Sequence, residues 1–392
     1  MNTQKALAAK NIRLYVVLKI FFKRVFLPLS AIYFVQVDHF TLKEIGLLGG
    51  FFSLVQLIAE LPTGYFSDRL ARVTSIRIGA ALNIAATLLY VFVHQKSGVF
   101  LASGLEALGY SFFSGAGEAL IHDSLVVTKQ EQNYSKIIGR AQSISLIINA
   151  GLLALVPLTY RIDPRLPFLI GTVAYTILLV TAFMMTDVTR TRAVATRKRL
   201  SFKLIVKSHH IIAFGILFGI VSALFTGPSD IFNLTLKSFG IKPELLGILF
   251  SAASLFAAIL GPFIYLLKRL SVIQYMLLDL SMAVVPLLAA FAHSAVILSV
   301  AFLLSISFWR YRKIIYQEHL LRLYPTGYKA TLLSGMSFVE EIALLWIPIS
   351  VATVASQVGL GVGLGLTGIA GIVVAPFYIA SARRLFRPAL KN

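Results

Sequence analysis

Ionisable side chains stand inside stretches of this sequence that are otherwise apolar, and they sort into three kinds of chemistry. Lys19, Lys23 and Arg24 share one such stretch, and Arg310 stands beside Trp309 in another. Clustered bases bind carboxylates and phosphates through charge-assisted hydrogen bonds. Glu60, Glu106, Glu118, Glu340 and Glu341 are carboxylates in apolar surroundings. Such a group holds its proton more tightly than in water and can carry one, so Glu118, Glu340, Glu341 and Glu60 are the candidates for proton coupling. Asp68, Arg69 and Arg72 crowd a short junction between two apolar stretches, with Asp123 and Arg140 at comparable junctions. An acid beside a helix start and an arginine that reaches it form a pair that can hold one conformation and release another. The chain has no Cys, and its seven His show no ligand spacing, so no metal site is expected. Neither a Gly-x-x-x-x-Gly-Lys loop nor a His-Glu-x-x-His pair occurs, so ATP hydrolysis and zinc proteolysis are not expected, nor any cofactor or enzymatic activity.

The elements that position these residues follow from composition. Of 392 residues, 58% are hydrophobic and 13% charged, with a mean hydropathy of +0.84. A soluble domain carries about 25% charged residues, so the solvent here is lipid. At roughly 20 residues per crossing, twelve helices fit. Their expected spans are 13–36, 45–66, 74–94, 98–123, 137–159, 166–186, 209–232, 244–267, 273–292, 295–317, 330–353 and 363–385. The long apolar runs lack in/out alternation, which argues against a barrel. The polar stretch 187–208 then separates an N-terminal six-helix bundle, 1–186, from a C-terminal one, 209–392.

The net charge of +20 lies in the junctions between apolar runs, which points to membrane topology rather than nucleic acid. With the N-terminus inside, the inner junctions hold most of the bases, and the outer ones only Lys43, Lys96, Arg161, Arg165, Lys237 and Lys242. Both termini are therefore expected in the cytoplasm of a cell whose inner (plasma) membrane the chain crosses, as a monomer. The first apolar run is long and lacks a small-residue cleavage site, so it reads as a retained first span.

On a continuous first helix, Lys19 and Lys23 share a face and Arg24 points about 100° away, with Lys23 and Arg24 near mid-span. Each charge at a helix centre costs about 2.5–3.5 kcal/mol, so each needs a cavity or a partner. Glu60, Glu106 and Glu118 are the available acids for the first helix; Arg140 and Lys19 are the available bases for Glu118. Arg312 and Lys313 are expected to snorkel inward, and Asp279 to be structural. The openings Glu44-Ile45-Gly46 and Glu244-Leu245-Leu246-Gly247 give a faint repeat between halves. Pro28 and Pro62 permit kinks, and Pro62 is expected to break the helix ahead of the charged junction.

The stretch from Glu60 to Arg72 resembles the signature loop of the major facilitator superfamily of transporters. That loop runs Gly, three residues, Asp, a base, one residue, Gly, Arg and a further base. Gly64, Asp68, Arg69 and Arg72 fit; Ala71 and Val73 depart from the pattern. Together with Ser114-Gly115-Ala116-Gly117-Glu118-Ala119-Leu120-Ile121-His122-Asp123-Ser124-Leu125, the wording is similar to a bacterial branch of that superfamily. The resemblance implies an all-α membrane protein of the major facilitator fold, with helices one, four, seven and ten lining a path. It also implies a latch in which the second Arg of the loop meets an acid at the inner end of the fourth helix, where Asp123 stands. Gly64, Asp68, Arg69, Arg72, Asp123 and Arg140 are the expected latch residues; Lys19, Lys23, Arg24, Trp309 and Arg310 are the expected substrate residues. The expected function is secondary transport of a small organic anion or zwitterion by alternating access, coupled to protons, with efflux the favoured direction. The alternative is proton-driven multidrug efflux of hydrophobic or cationic compounds. A membrane enzyme or lipid flippase would need a lateral opening and a wet catalytic cluster, which the sequence does not show.

Overall fold

The computed structural model describes residues 2–69, 71–113, 115–188, 209–260, 270–323 and 329–385. Within helices, the side chains at 2, 61, 68, 69, 135, 209–213, 272, 310, 313–323, 329–337 and 385 lie outside that description. The described residues form helices and short connections, with no strand among them. In chain order the α-helices are α1 (Asn2–Phe21), α2 (Ser30–Gln36), α3 (Leu42–Arg69), α4 (Arg72–Phe92), α5 (Lys96–Phe113), α6 (Ala116–Thr128), α7 (Tyr134–Leu155) and α8 (Leu166–Met184). They continue as α9 (His209–Thr226), α10 (Ser229–Ser238), α11 (Pro243–Leu260), α12 (Val272–Leu288), α13 (Ala295–Leu323), α14 (Lys329–Val358) and α15 (Leu360–Leu385).

The chain divides into two compact units. One holds Met1–Phe40, Phe51–Ala195 and Pro243–Ser251; the other holds Thr41–Gly50, Thr196–Lys242 and Ala252–Asn392. In the first, α4 packs between α5 and α8, while α1 packs on α6 and α7. The α4–α5 crossing is tight because it has no side chain at its centre: a Cβ on Gly109 would lie 2.8 Å from the carbonyl oxygen of Gly79. In the second, α12 packs on α15, and α9 on α14 and α15. Its core is aromatic, with Phe214, Phe218, Phe225, Tyr275 and Tyr378 buried together. Large apolar side chains such as Phe92, Ile147, Val180, Phe183, Trp346 and Phe377 are exposed on the helices. A water-soluble surface does not tolerate that display; hydrocarbon does.

Among the described residues, nine helical stretches are long and apolar enough to cross a membrane. Among the described residues the first and fourth of the twelve expected spans are interrupted, and the apolar part of the tenth is described as far as Trp309. The first is not continuous: α1 stops at Phe21, and the chain resumes as a 3₁₀ turn at Leu27–Leu29 before α2. Pro28, at the start of that turn, has no N–H to donate, and its ring excludes the carbonyl four residues back, so the helix opens around Arg24. Lys23 and Arg24 therefore lie at a helix break rather than mid-helix, and the shared face expected for Lys19 and Lys23 does not exist. The fourth span splits into α5 and α6, with Gly115 at the start of α6 in the left-handed region at φ 74°. The seventh divides at Gly227–Pro228, between α9 and α10.

Pro62 does the reverse of what its sequence suggests. α3 runs through it to Arg69, so Gly64, Asp68 and Arg69 are helical, and α4 starts at Arg72. The Thr63 hydroxyl donates to the carbonyl of Ala59 at 2.8 Å, holding the turn that a proline weakens.

Candidate functional site

The breaks in the first and fourth spans lie together. Where α1 ends, its last carbonyls lose their intrahelical donors. Side chains from other helices replace them: Ser145 Oγ donates to Lys19 O at 2.7 Å, Asn149 Nδ2 to Ile20 O at 3.2 Å and Tyr110 Oη to Phe22 O at 3.2 Å. Around this opening is a cavity of about 240 Å³ lined by Tyr15, Lys19, Phe22, Phe113, Gly115, Gly117 and Glu118. Lys19 Nζ reaches Glu118 Oε1 at 2.9 Å; the two side chains are 19% and 53% exposed. Lys19, not Arg140, is thus the partner of Glu118; Arg140 is exposed on α7. Glu118 stands in the first turn of α6, where the helix dipole favours negative charge.

Arg24 pairs with a more deeply buried carboxylate. Its Nε lies 3.5 Å from Glu106 Oε1, and Tyr90 Oη donates to Glu106 Oε2 at 3.0 Å. The guanidinium also stacks on Phe52 and Tyr110, 4.6 and 4.7 Å from the ring centres. Glu106 is 3% exposed, so the carboxylate of this pair is insulated from water, whereas that of the Lys19–Glu118 pair opens to it. Lys23 is exposed at the break.

The junction of α3 and α4 holds a second constellation. Arg72 Nε meets Asp123 Oδ2 at 2.9 Å, the pairing the resemblance implied. The start of α4 is capped by Asp187, whose Oδ1 accepts from the backbone N–H of Arg72 at 2.9 Å and of Val73 at 3.3 Å. Arg77 completes the exchange by donating to Ala182 O and Met185 O at the end of α8. Negative charge meets a helix start and positive charge a helix end. Buried Asn11 ties α1 to Ser124 of α6 and to the backbone of Thr186. The side chains of Asp68 and Arg69 lie outside the described residues; Gly64 faces open space and Glu60 is exposed.

In the second unit, Arg312 does not snorkel. It is 1% exposed, and its Nε meets Asp279 Oδ1, itself without exposure, at 2.6 Å. Tyr378 Oη donates to Asp279 Oδ2 at 3.1 Å, and the guanidinium lies 3.7 Å over Phe218 and 4.5 Å over Trp309. Burial with ring faces and a carboxylate replaces the route to the surface, because α13 is packed against α12 at this depth. Trp309 also packs on Phe225, at 4.8 Å. Glu340 is buried and accepts a short hydrogen bond from Ser222; Glu341 is half-buried. The side chain of Arg310 lies outside the described residues.

Sequence reasoning passed over Asp187, Asn11, Tyr15, Tyr90 and Asn149. Their roles join residues far apart, as Asp187 does with Arg72 over 115 positions, and no local spacing signals that.

A family profile, the Major Facilitator Superfamily, matches residues 14–348. The chain is 25% identical over 336 residues to the uncharacterized MFS-type transporter YxaM of Bacillus subtilis (strain 168), covering 81% of this chain and 82% of that one. It is 30% identical over 112 residues to the probable vesicular acetylcholine transporter-A of Danio rerio, a match spanning 29% of this chain and 21% of that relative's length. A crystal structure of the nucleoside transporter NupG superposes with a TM-score of 0.82, covering 96% of this chain and 99% of that one. At 14% identity that likeness shows the fold alone.

Proposed function

Because this chain belongs to the Major Facilitator Superfamily, and so is a multi-pass membrane transporter of a small molecule rather than an enzyme, we propose that its solute is a small organic anion or zwitterion, coupled to protons. One observation supports this reading above the others: the Lys19–Glu118 pair lines a cavity at two helix breaks, with half of the carboxylate side chain open to water. A cation there takes a solute carboxylate, and a carboxylate there takes an ammonium group. The first and fourth spans, which carry this pair, are both interrupted. Helices that carry charge or interruption at membrane depth cost free energy, and function is the usual reason they persist.

The proposal includes alternating access of two six-helix bundles, 1–186 and 209–392, joined by the stretch 187–208. The chain acts as a monomer in the inner (plasma) membrane, both termini are cytoplasmic, and Arg72–Asp123 is part of the latch that favours one access state. Reconstituted into vesicles with an imposed pH gradient, the protein should accumulate small carboxylates or amino-acid-like zwitterions. Transport restricted to quaternary ammonium compounds would overturn the anion reading.

A second reading, proton-driven efflux of hydrophobic or cationic compounds, draws on a specific observation. Arg24 is already countered by Glu106 and Lys19 by Glu118, so the bases of the first span are partly neutralised. The partial match to a relative named for acetylcholine, a cation, points the same way.

A further inference from the structure

We propose that the cavity between the broken first and fourth spans is an oxyanion subsite, in which the head group of the solute displaces Glu118 from Lys19. The inference deepens the transport reading and rests on it for the identity of the ligand.

Three observations converge. First, α6 begins inside the cavity wall at Gly115 and Gly117, and no side chain among the described residues caps it. The N–H groups of its first turn have no intrahelical acceptor, and 13 residues of aligned dipoles stand behind them. Second, Tyr15 lines the same cavity with 1% exposure, and its hydroxyl has no hydrogen-bond partner among the described residues. A buried hydroxyl without a partner costs about 1–3 kcal/mol, a cost an incoming acceptor would remove. Third, Lys19 Nζ stands 5.6 Å over the Tyr15 ring while paired to Glu118. Hydroxyl, ammonium and helix start are all donors, and Glu118 is the single carboxylate among the lining residues.

The size of the space limits what enters. Small-molecule sites run from about 300 to 1,000 Å³. A cavity of ~150 Å³ already admits a benzene ring, so one of about 240 Å³ takes an oxyanion head group together with a small part of the solute. Glu118 in this view is a resident stand-in for that group. When the oxyanion takes Lys19, Glu118 turns to the solvent it already half faces.

The test uses the purified full-length chain in lipid nanodiscs, with inorganic sulfate as probe and chloride at matched ionic strength as control. Sulfate should raise the melting temperature saturably. Tyr15→Phe should weaken the apparent affinity about three- to tenfold, the worth of one hydrogen bond, and Lys19→Gln should weaken it more. Gly117→Ala, whose Cβ would sit 3.7 Å from Tyr15 without a clash, should also weaken it by narrowing the space. Glu118→Gln should tighten it, since the competing carboxylate is gone. A pair that served only the fold would make Lys19→Gln and Glu118→Gln move together, and that result overturns the proposal. So does a sulfate response unchanged in Tyr15→Phe and Lys19→Gln, or no saturable response in the wild type. Melting without sulfate reports whether each variant folds. The transport reading fails separately: vesicles that carry only quaternary ammonium compounds refute it while the sulfate pattern stands. Carboxylate uptake with unchanged KM in Lys19→Gln and Tyr15→Phe refutes the subsite while transport stands.

Discussion

Arg312 and Asp279 meet at 2.6 Å with 1% and 0% of their side chains exposed, and Tyr378 holds the second carboxylate oxygen. An ion pair so deep gains its attraction only by giving up hydration of both charges, so it is most sensitive to losing one partner. Asp279→Ala should destabilise the chain by about 3–5 kcal/mol, measured by thermal or denaturant unfolding in detergent. Replacing both residues with apolar ones of similar size should recover most of that loss. A single substitution that costs nothing would mean the charges are not insulated as the geometry indicates.

The start of α4 depends on a residue far away in sequence. Asp187 accepts from the N–H groups of Arg72 and Val73, and no other side chain among the described residues caps this helix. Asp187→Ala should cost about 0.5–2 kcal/mol and speed amide exchange at Arg72 and Val73. Exchange at the far end of α4, near Phe92, should be unaffected. Equal acceleration along the whole helix would show that Asp187 acts on global stability rather than as a cap.

How much of this was legible in the sequence depends on the length scale. Apolar runs reveal helices, because burial of every backbone donor and acceptor in lipid leaves no other local solution. Arg72–Asp123 was accessible through the resemblance of the loop. Pro28 and Pro62 look alike in a one-dimensional reading, yet one opens a helix and the other does not. The difference lies in what surrounds the freed carbonyls: Ser145, Asn149 and Tyr110 take over those at the end of α1. Lys19 was one of two bases open to Glu118, 99 positions away, and only the fold decides between them. The charged run around Arg312 predicts snorkelling, because it says nothing about the rings of Phe218 and Trp309 that enclose the guanidinium.

Outside the spans, Asp38 gives a pH dependence whose sign can be worked out. Its side chain is unexposed and paired to His94 Nδ1 at 2.8 Å, while His94 Nε2 and Arg165 Nη2 are 3.1 Å apart. Burial pushes its pKa above the usual value, with the His94 hydrogen bond pulling the other way. The folded chain therefore binds this proton more tightly than the unfolded chain does. Asp38 costs stability as pH rises from its unfolded value, about 3.9, to its raised folded value, and the cost is constant above that. Melting across this window should show the wild type losing stability relative to Asp38→Asn as pH rises. His94→Ala, which removes the counteracting hydrogen bond, should widen the difference. Parallel curves for all three proteins would contradict the assignment.

The crossing of α4 and α5 is equally specific. A Cβ at Gly109 would stand 2.5 Å from Asn83 Nδ2 and 2.8 Å from Gly79 O. Overpacking of this kind costs about 1–3 kcal/mol, so Gly109→Ala should lower the melting temperature. Gly64→Ala, facing open space, should not lower it and gains up to about 1 kcal/mol of helix propensity.

Proton coupling through Glu118 is the claim on which the transport reading most depends, and lumenal pH in proteoliposomes reports it. Adding a panel of small carboxylates and zwitterions outside should produce a proton flux with the wild-type chain. Glu118→Gln should bind solute but move no protons with it. A flux of undiminished size in Glu118→Gln, or one elicited by quaternary ammonium compounds alone, would contradict the account.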